Sequence, residues 1–218
     1  MAWSSVFRRV SRGKTVGTQR ETIRLAADDS GSLRTMERTT DPKAGPVETE
    51  ETQTLGPGGV IRHEEIRVRR RGGTSRYAVD FSARSVRVRY TRPGIRGEYE
   101  SDAPPDPLRV FATPRMIAGL LRGGPPITLT GFSPRTGRWS TCRVTPDARE
   151  GGHPVLRRTW STGSRGHDVL DADLRTLSVG WSTGDVFVRT ALHPEPTTRT
   201  HARSRGADLL VGNTGRLC

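Results

Sequence analysis

The chain has 218 residues, a mass of 24.0 kDa and a formal net charge of +13, a length that suits one or two domains. Hydrophobic residues make up 32%, and 25 glycines with 15 prolines stay below the roughly 25–30% typical of low-complexity disorder, so the chain can build a small core with long solvated connections. No apolar run approaches the ~18–20 residues of a membrane helix. The opening MAWSSVFRRVSRGKTVG is charged and has no apolar stretch of the ~7–15 residues found in secretory signals. The two cysteines, Cys142 and Cys218, form neither a disulfide framework nor a CxxC metal motif. The expected location is the cytoplasm.

All but two of the 36 basic residues are arginine. Arginine grips phosphate and carboxylate with two parallel bonds, which lysine cannot do. A GC-rich genome also favours arginine codons, so the excess has two readings, base composition or an anionic partner.

In chain order, residues 1–18 read as a flexible basic arm. Within it Trp3, Val6, Phe7 and Val10 have the spacing of a short amphipathic helix. From residue 19 to 192 the pattern is that of a single antiparallel β domain. Glu21–Leu25 and Leu33–Glu37 alternate around Asp28-Asp29-Ser30-Gly31, the composition of a hairpin. Residues 41–58 fit a long loop with one strand at Val47–Leu55.

Val60–Arg71, Arg76–Ser82 and Ser85–Tyr90 read as consecutive strands, with a bulge near His63-Glu64-Glu65. The two-residue period puts Tyr77, Val79, Phe81, Val86, Val88 and Tyr90 on one face. Arg67, Arg69, Arg87 and Arg89 fall on the other. Residues 92–107 read as a loop. Thr113 as N-cap, Pro114 at the first helical position and Gly123 as the stop delimit one short helix. Its stripe is Met116, Ile117, Leu120 and Leu121.

The remaining strands are expected at Ile127–Phe132, Arg138–Val144, Val155–Trp160, Leu174–Trp181 and Asp185–Leu192. Residues 193–218 read as an extended or disordered basic tail. The fold class is mostly β, an antiparallel curved sheet or half-open barrel with one short helix.

Few motifs carry chemistry. The five histidines show no HxH, HExxH or HxxxH spacing, and no metal site or cofactor is expected. Asp168, Asp171 and Asp173 are the densest acidic group, with either a turn role or a cation or acid role. Ser164, His167 and Asp168 lie close in sequence without a nucleophile elbow. Cys142 sits in a strand, as a buried inert thiol would. Residues 61–97 hold 11 arginines against three acids, a basic stretch suited to tracking phosphates. Trp-Ser-Thr recurs at Trp139, Trp160 and Trp181, consistent with three strands that each place a Trp at a matching height.

The order of two strands, GPGG, RYAVDFSARSVRVRY, the helix TPRMIAGLLRG and DVLDADLRTLSVGWSTGDVFV resembles the half-open barrels of bacterial lipoprotein carriers and of glycolipid-binding β domains. That resemblance covers roughly residues 19–192 and implies a twisted sheet around a short helix that plugs an apolar cavity. The expected cavity is lined by Tyr77, Phe81, Tyr90, Met116, Leu120, Trp139, Trp160 and Trp181. The leading expectation is a non-catalytic binding protein for a lipid or hydrophobic small molecule. The alternatives are a structural component of a larger assembly, in which the chain self-associates or docks a partner, and a polyanion binder using Arg67, Arg69, Arg87 and Arg89.

Overall fold

A computed structural model describes residues 1–41, 45–106 and 108–194. Among these, one antiparallel sheet holds β1 (Ala2–Ser11), β2 (Lys14–Leu25), β3 (Gly31–Asp41), β4 (Gly45–Gly56), β5 (Val60–Arg70), β6 (Gly73–Phe81), β7 (Val86–Arg92) and β8 (Ile95–Ser101). A helix, α1 (Pro114–Leu121), follows. The sheet then continues with β9 (Ile127–Ser133), β10 (Arg138–Glu150), β11 (His153–Trp160), β12 (Arg165–Leu170), β13 (Thr176–Trp181) and β14 (Asp185–Pro194). Two meanders, β1 to β8 and β9 to β14, meet where β1 pairs with β14.

Local chemistry sets the turns. Arg12 and Gly13 between β1 and β2 have φ of 49° and 76°, and Gly151 and Gly152 between β10 and β11 have 54° and 84°. Two successive positive φ values define the type I′ turn, whose twist matches that of the flanking strands.

The free edges of the sheet are β8 and β9. They are not joined by a backbone ladder, so the barrel stays open. Side chains bring them together instead. Tyr99 Oη donates to Pro134 O at 2.5 Å, and Ser101 Oγ donates to Gly137 O at 3.3 Å. Behind this seam Phe81 meets Phe132 edge-on at 6.1 Å between ring centroids, and Phe132 lies 4.7 Å from Trp139.

The chain crosses from β8 to β9 through the mouth of the barrel. Leu108 O accepts from Ile61 N at 3.0 Å, and Arg109 O accepts from Thr130 N at 2.5 Å. This crossing ties β5 to β9, then enters α1. Thr113 caps the helix: its Oγ1 accepts from Met116 N at 3.3 Å and donates to Asp29 Oδ2 at 3.0 Å. Both Thr113 and Asp29 are buried. The helix thus locks onto the β2–β3 turn, which Arg115 also reaches through Ala27 O at 2.5 Å.

Two apolar clusters fill the interior. One joins Trp3, Ile23, Leu55, Ile61 and Val79 to the seam aromatics. The other sets Ile117 and Leu120 of α1 against Leu129, Cys142, Val144 and Leu156.

Several expectations are corrected here. Residues 1–18 are not a flexible arm but β1 and the start of β2, in the middle of the sheet. Trp3 and Phe7 are buried as strand residues, 4% and 2% exposed, because strands on both sides fix β1 in an extended form. The supposed loop 92–107 contains β8, and β12, which carries Asp168, is a further strand between the expected strands at Val155–Trp160 and Leu174–Trp181. The expected bulge is real but one step earlier, where Thr54 and Leu55 face His63 and Ile61. The helix boundaries and the Thr113 cap are as expected. Of the expected tail, His193 and Pro194 end β14, and residues 195–218 lie outside the described residues.

Thr113→Val keeps the shape of the cap, removes its bonds and leaves Asp29 buried without its donor. A loss of roughly 1–3 kcal/mol is expected, measured as a lower urea midpoint with unchanged m-value. An unchanged midpoint would show that the cap and its bond to Asp29 contribute nothing.

Candidate functional site

Period-two alternation gives this sheet two chemically distinct faces. On the outer face the strand register builds cross-strand rows of charge. One row runs Glu50, Arg67, Arg76, Thr91, Arg96 from β4 to β8. The next toward the basic turns runs Arg38, Glu48, Arg69, Thr74. Each row lines an open trough, of about 800 and 840 Å³. The second trough also takes in Lys14, Arg70 and Arg71.

Carboxylates neutralise part of this face. Glu50 holds Arg34 at 2.5 Å, Asp80 holds Arg89 at 3.0 Å, and Glu48 lies 3.5 Å from Arg69 and 3.6 Å from Arg38. Glu65 and Glu98 also line the first trough. Arg67 and Arg76 are direct cross-strand partners, a like-charge placement that costs stability. Among the described residues the side chains of Arg67, Arg76 and Arg96 have no ion pair or hydrogen bond, and Arg67 Nε is buried without a partner.

All four arginines expected on the basic surface do face outward. Arg69 and Arg89 are paired with carboxylates, and Arg87 stands opposite Asp80 and Glu100 in the ladder. Arg76 and Arg96 complete the row through Arg67. Their sequence signal is present in the same alternation, but Arg96 lies in β8, which reads as loop.

The eight residues expected around one cavity do not meet in one place. Tyr77, Phe81, Tyr90 and Trp139 belong to the seam cluster, with Tyr77 and Tyr90 6.5 Å apart and Arg92 stacked on both rings at 5.4 and 4.9 Å. Met116, Leu120 and Trp160 belong to the helix cluster. Trp181 lies apart from both, over Gly166, where a Cβ would fall 3.4 Å from its ring. The matching-height reading of the three tryptophans therefore does not hold.

The inner face carries a polar layer that the sequence reading missed. Glu21, Glu51, Gln53 and Glu64 continue inward in phase with the buried Ile23, Leu25 and Leu55. That phase is the signal that could have found them. Gln53 Nε2 donates to Glu51 Oε1 at 2.6 Å and to Glu64 Oε1 at 2.7 Å. Burial pushes Glu64 up to about 8 and Glu21 to about 7, and it raises Glu51 as well. The like charge of Glu51 adds to the rise at Glu64, as expected where two acids share a site.

The acidic group of β12 divides. Asp168 turns inward and accepts from Arg158 Nε at 2.6 Å. Asp171 closes the β12–β13 turn, taking Asp173 N and Arg175 N at 2.9 Å each, and pairs with Arg189 at 2.8 Å. Asp173 is exposed. His167 faces outward beside Gly180, so Ser164, His167 and Asp168 form no triad. Cys142 is fully buried, and burial pushes its thiol up. Among the described residues, no group of three His, Cys, Asp or Glu side chains is placed to hold a metal ion, and no helix is long and apolar enough to cross a membrane.

These features define the class: a half-open antiparallel β-barrel, plugged by one helix, with a basic outer face. The sequence matches no protein-family model and no curated protein. The fold is similar to the crystal structure of a beta-barrel-like protein of domain of unknown function DUF1849 from Brucella abortus. The TM-score is 0.61 at 10% identity, covering 90% of this chain and 98% of that chain. At that identity the likeness concerns the fold alone.

The inner acids make stability depend on pH. Unfolded, Glu21 and Glu64 titrate near 4.5; folded, near 7 and 8. Between those values the folded protein holds protons that the unfolded chain has released, so stability falls as pH rises. The contribution is complete below pH 4.5 and is lost through 7 to 8. Thermal unfolding at pH 5, 6.5 and 8 is expected to show a falling Tm. Glu64→Gln, which imitates the protonated acid, flattens the slope and raises Tm at pH 8. A flat profile in the native protein, or a Glu64→Gln variant less stable at pH 8, would refute this assignment.

Proposed function

We propose that the protein is a non-catalytic binding protein that holds nucleic acid by its phosphate backbone on the arginine face of β4 to β8. The observation that carries this reading is the row of Arg67, Arg76 and Arg96. Two arginines stand directly opposite each other and a third shares their row, with no carboxylate among the described residues bound to any of them. Such a placement is unfavourable alone and becomes favourable when an anion lies along it. Guanidinium groups suit phosphate oxygens through paired bonds. The neighbouring trough with Lys14, Arg70 and Arg71 extends the track. Tyr77 and Tyr90 face the other side of the sheet, so base stacking of the kind used by single-strand binders is not part of the reading. Recognition through the backbone alone predicts little sequence preference.

A second reading, a hydrophobic small molecule inside the half-barrel, draws on the seam. Phe81, Phe132 and Trp139 gather where two side-chain bonds replace a ladder. The enclosed cavity deeper in the barrel is about 30 Å³, against the roughly 300–1,000 Å³ of ligand pockets. This reading therefore needs the seam to part.

Fluorescence anisotropy with a labelled 20-mer, as single strand and as duplex of two unrelated sequences, tests the first reading. Binding is expected for all of them and to weaken steeply between 50 and 200 mM salt. In the triple variant Arg67→Ser, Arg76→Ser, Arg96→Ser the log–log salt slope is expected to be smaller by about 2–3, at ~0.7–0.9 per lost phosphate contact. No binding at 50 mM salt, or an unchanged slope in the variant, would overturn it. A discrete mass of a few hundred daltons, seen by native mass spectrometry and lost on denaturation, would favour the second reading.

A further inference from the structure

An enclosed cavity of about 30 Å³ lies where the two meanders meet the helix plug. Ser5 of β1, Glu21 of β2, Asp168 of β12 and Thr176 of β13 line it, with Ala112 from the crossing segment and Ile117 from the helix plug. None of these groups belongs to the arginine face. Asp168 is 2% exposed. Arg158 directs both Nε and Nη2 at the same oxygen, Oδ2. Asp168 Oδ1 is left buried with no partner. A bare carboxylate oxygen in a protein interior is costly unless a donor reaches it.

We propose that this cavity is a binding site for one ordered water molecule, which donates to Asp168 Oδ1 and bridges it to Glu21. The size fits a single water, which needs at least about 10–15 Å³ of such space, and is too small for an organic ligand. The chemistry fits as well. A buried water takes two to four polar partners, and Asp168, Glu21 and Ser5 supply them around one small space. A divalent cation is a poorer match, because it takes about six or more oxygens and the Arg158 guanidinium already occupies the carboxylate. The water joins β2 of the first meander to β12 of the second, beneath the plug, and so completes the polar contact between the two halves.

The test is a crystal structure of the full chain at a resolution that shows ordered water. The expected result is a single peak about 2.6–3.2 Å from both Asp168 Oδ1 and the Glu21 carboxyl. An empty cavity overturns the proposal, and so does a peak at cation-type distances of about 2.3–2.6 Å or an Asp168 turned to a protein donor. Ala112→Val gives a second readout, since its added methyl groups enter the cavity. If the variant displaces water, the peak disappears and Tm falls, by roughly 2–4 °C for a cost near 1 kcal/mol in a chain of this size. If the cavity is a dry void, filling it raises Tm, and the water assignment fails.

Discussion

The pairing of β1 with β14 is the contact on which the architecture depends. Each half of the chain is an antiparallel meander that sequence-local hairpins can build. Only the ladder from Trp3–Pro194 to Ser11–Asp185 makes them one sheet, across the full length of the described chain. Arg9 reinforces that joint by holding Asp185 of β14 at 2.8 Å and Glu37 of β3 at 2.7 Å. The long loop closed by this pairing is entropically expensive. It is offset in part by the burial of Trp3 and Phe7 on β1, which is flanked by β2 on one side and β14 on the other.

The second constraint is the open seam. A closed barrel removes both edges of its sheet, and here β8 and β9 remain unpaired. The crossing segment substitutes for closure. Its backbone bonds at Leu108 and Arg109 reach β5 on one side and β9 on the other, and the capped helix behind it fills the mouth. Closure by a plug rather than a ladder leaves an interior with two apolar clusters and a polar layer between strands. Buried acids there are held neutral or shared through Gln53, because an unpaired charge in that setting costs far more than a bound proton.

Charge is distributed to opposite effect on the two faces. Inside, Glu21, Glu51 and Glu64 carry raised proton affinity, and Asp168 is paired with Arg158. Outside, among the described residues, arginines outnumber the acids that reach them, and the register lines up Arg67, Arg76 and Arg96 without ion-pair partners. A single alternation rule produces both faces, so the same strands that present Arg67 and Arg76 to solvent direct Glu64, Tyr77 and Val79 inward.

Much of this was legible in the sequence by itself. Alternation at Tyr77–Phe81 and Val86–Tyr90 determined which side chains turn in, and placed Arg67, Arg69, Arg87 and Arg89 outside. Thr113, Pro114 and Gly123 determined the helix. These signals depend on neighbours within a few residues, which a linear reading contains. The tertiary structure alone decided the rest. Trp3 to Val10 fits helix or strand equally well until β2 and β14 flank it, and the charged β8 becomes a strand only against β7. The expected ring of eight cavity residues did not form, because strand order decides which side chains meet: four joined the seam cluster, three the helix cluster, and Trp181 stands apart from both. Glu21 and Asp168 lie 147 positions apart in the chain. Their shared cavity exists only because the meanders join, since a contact between distant strands is set by sheet order and not by any local pattern.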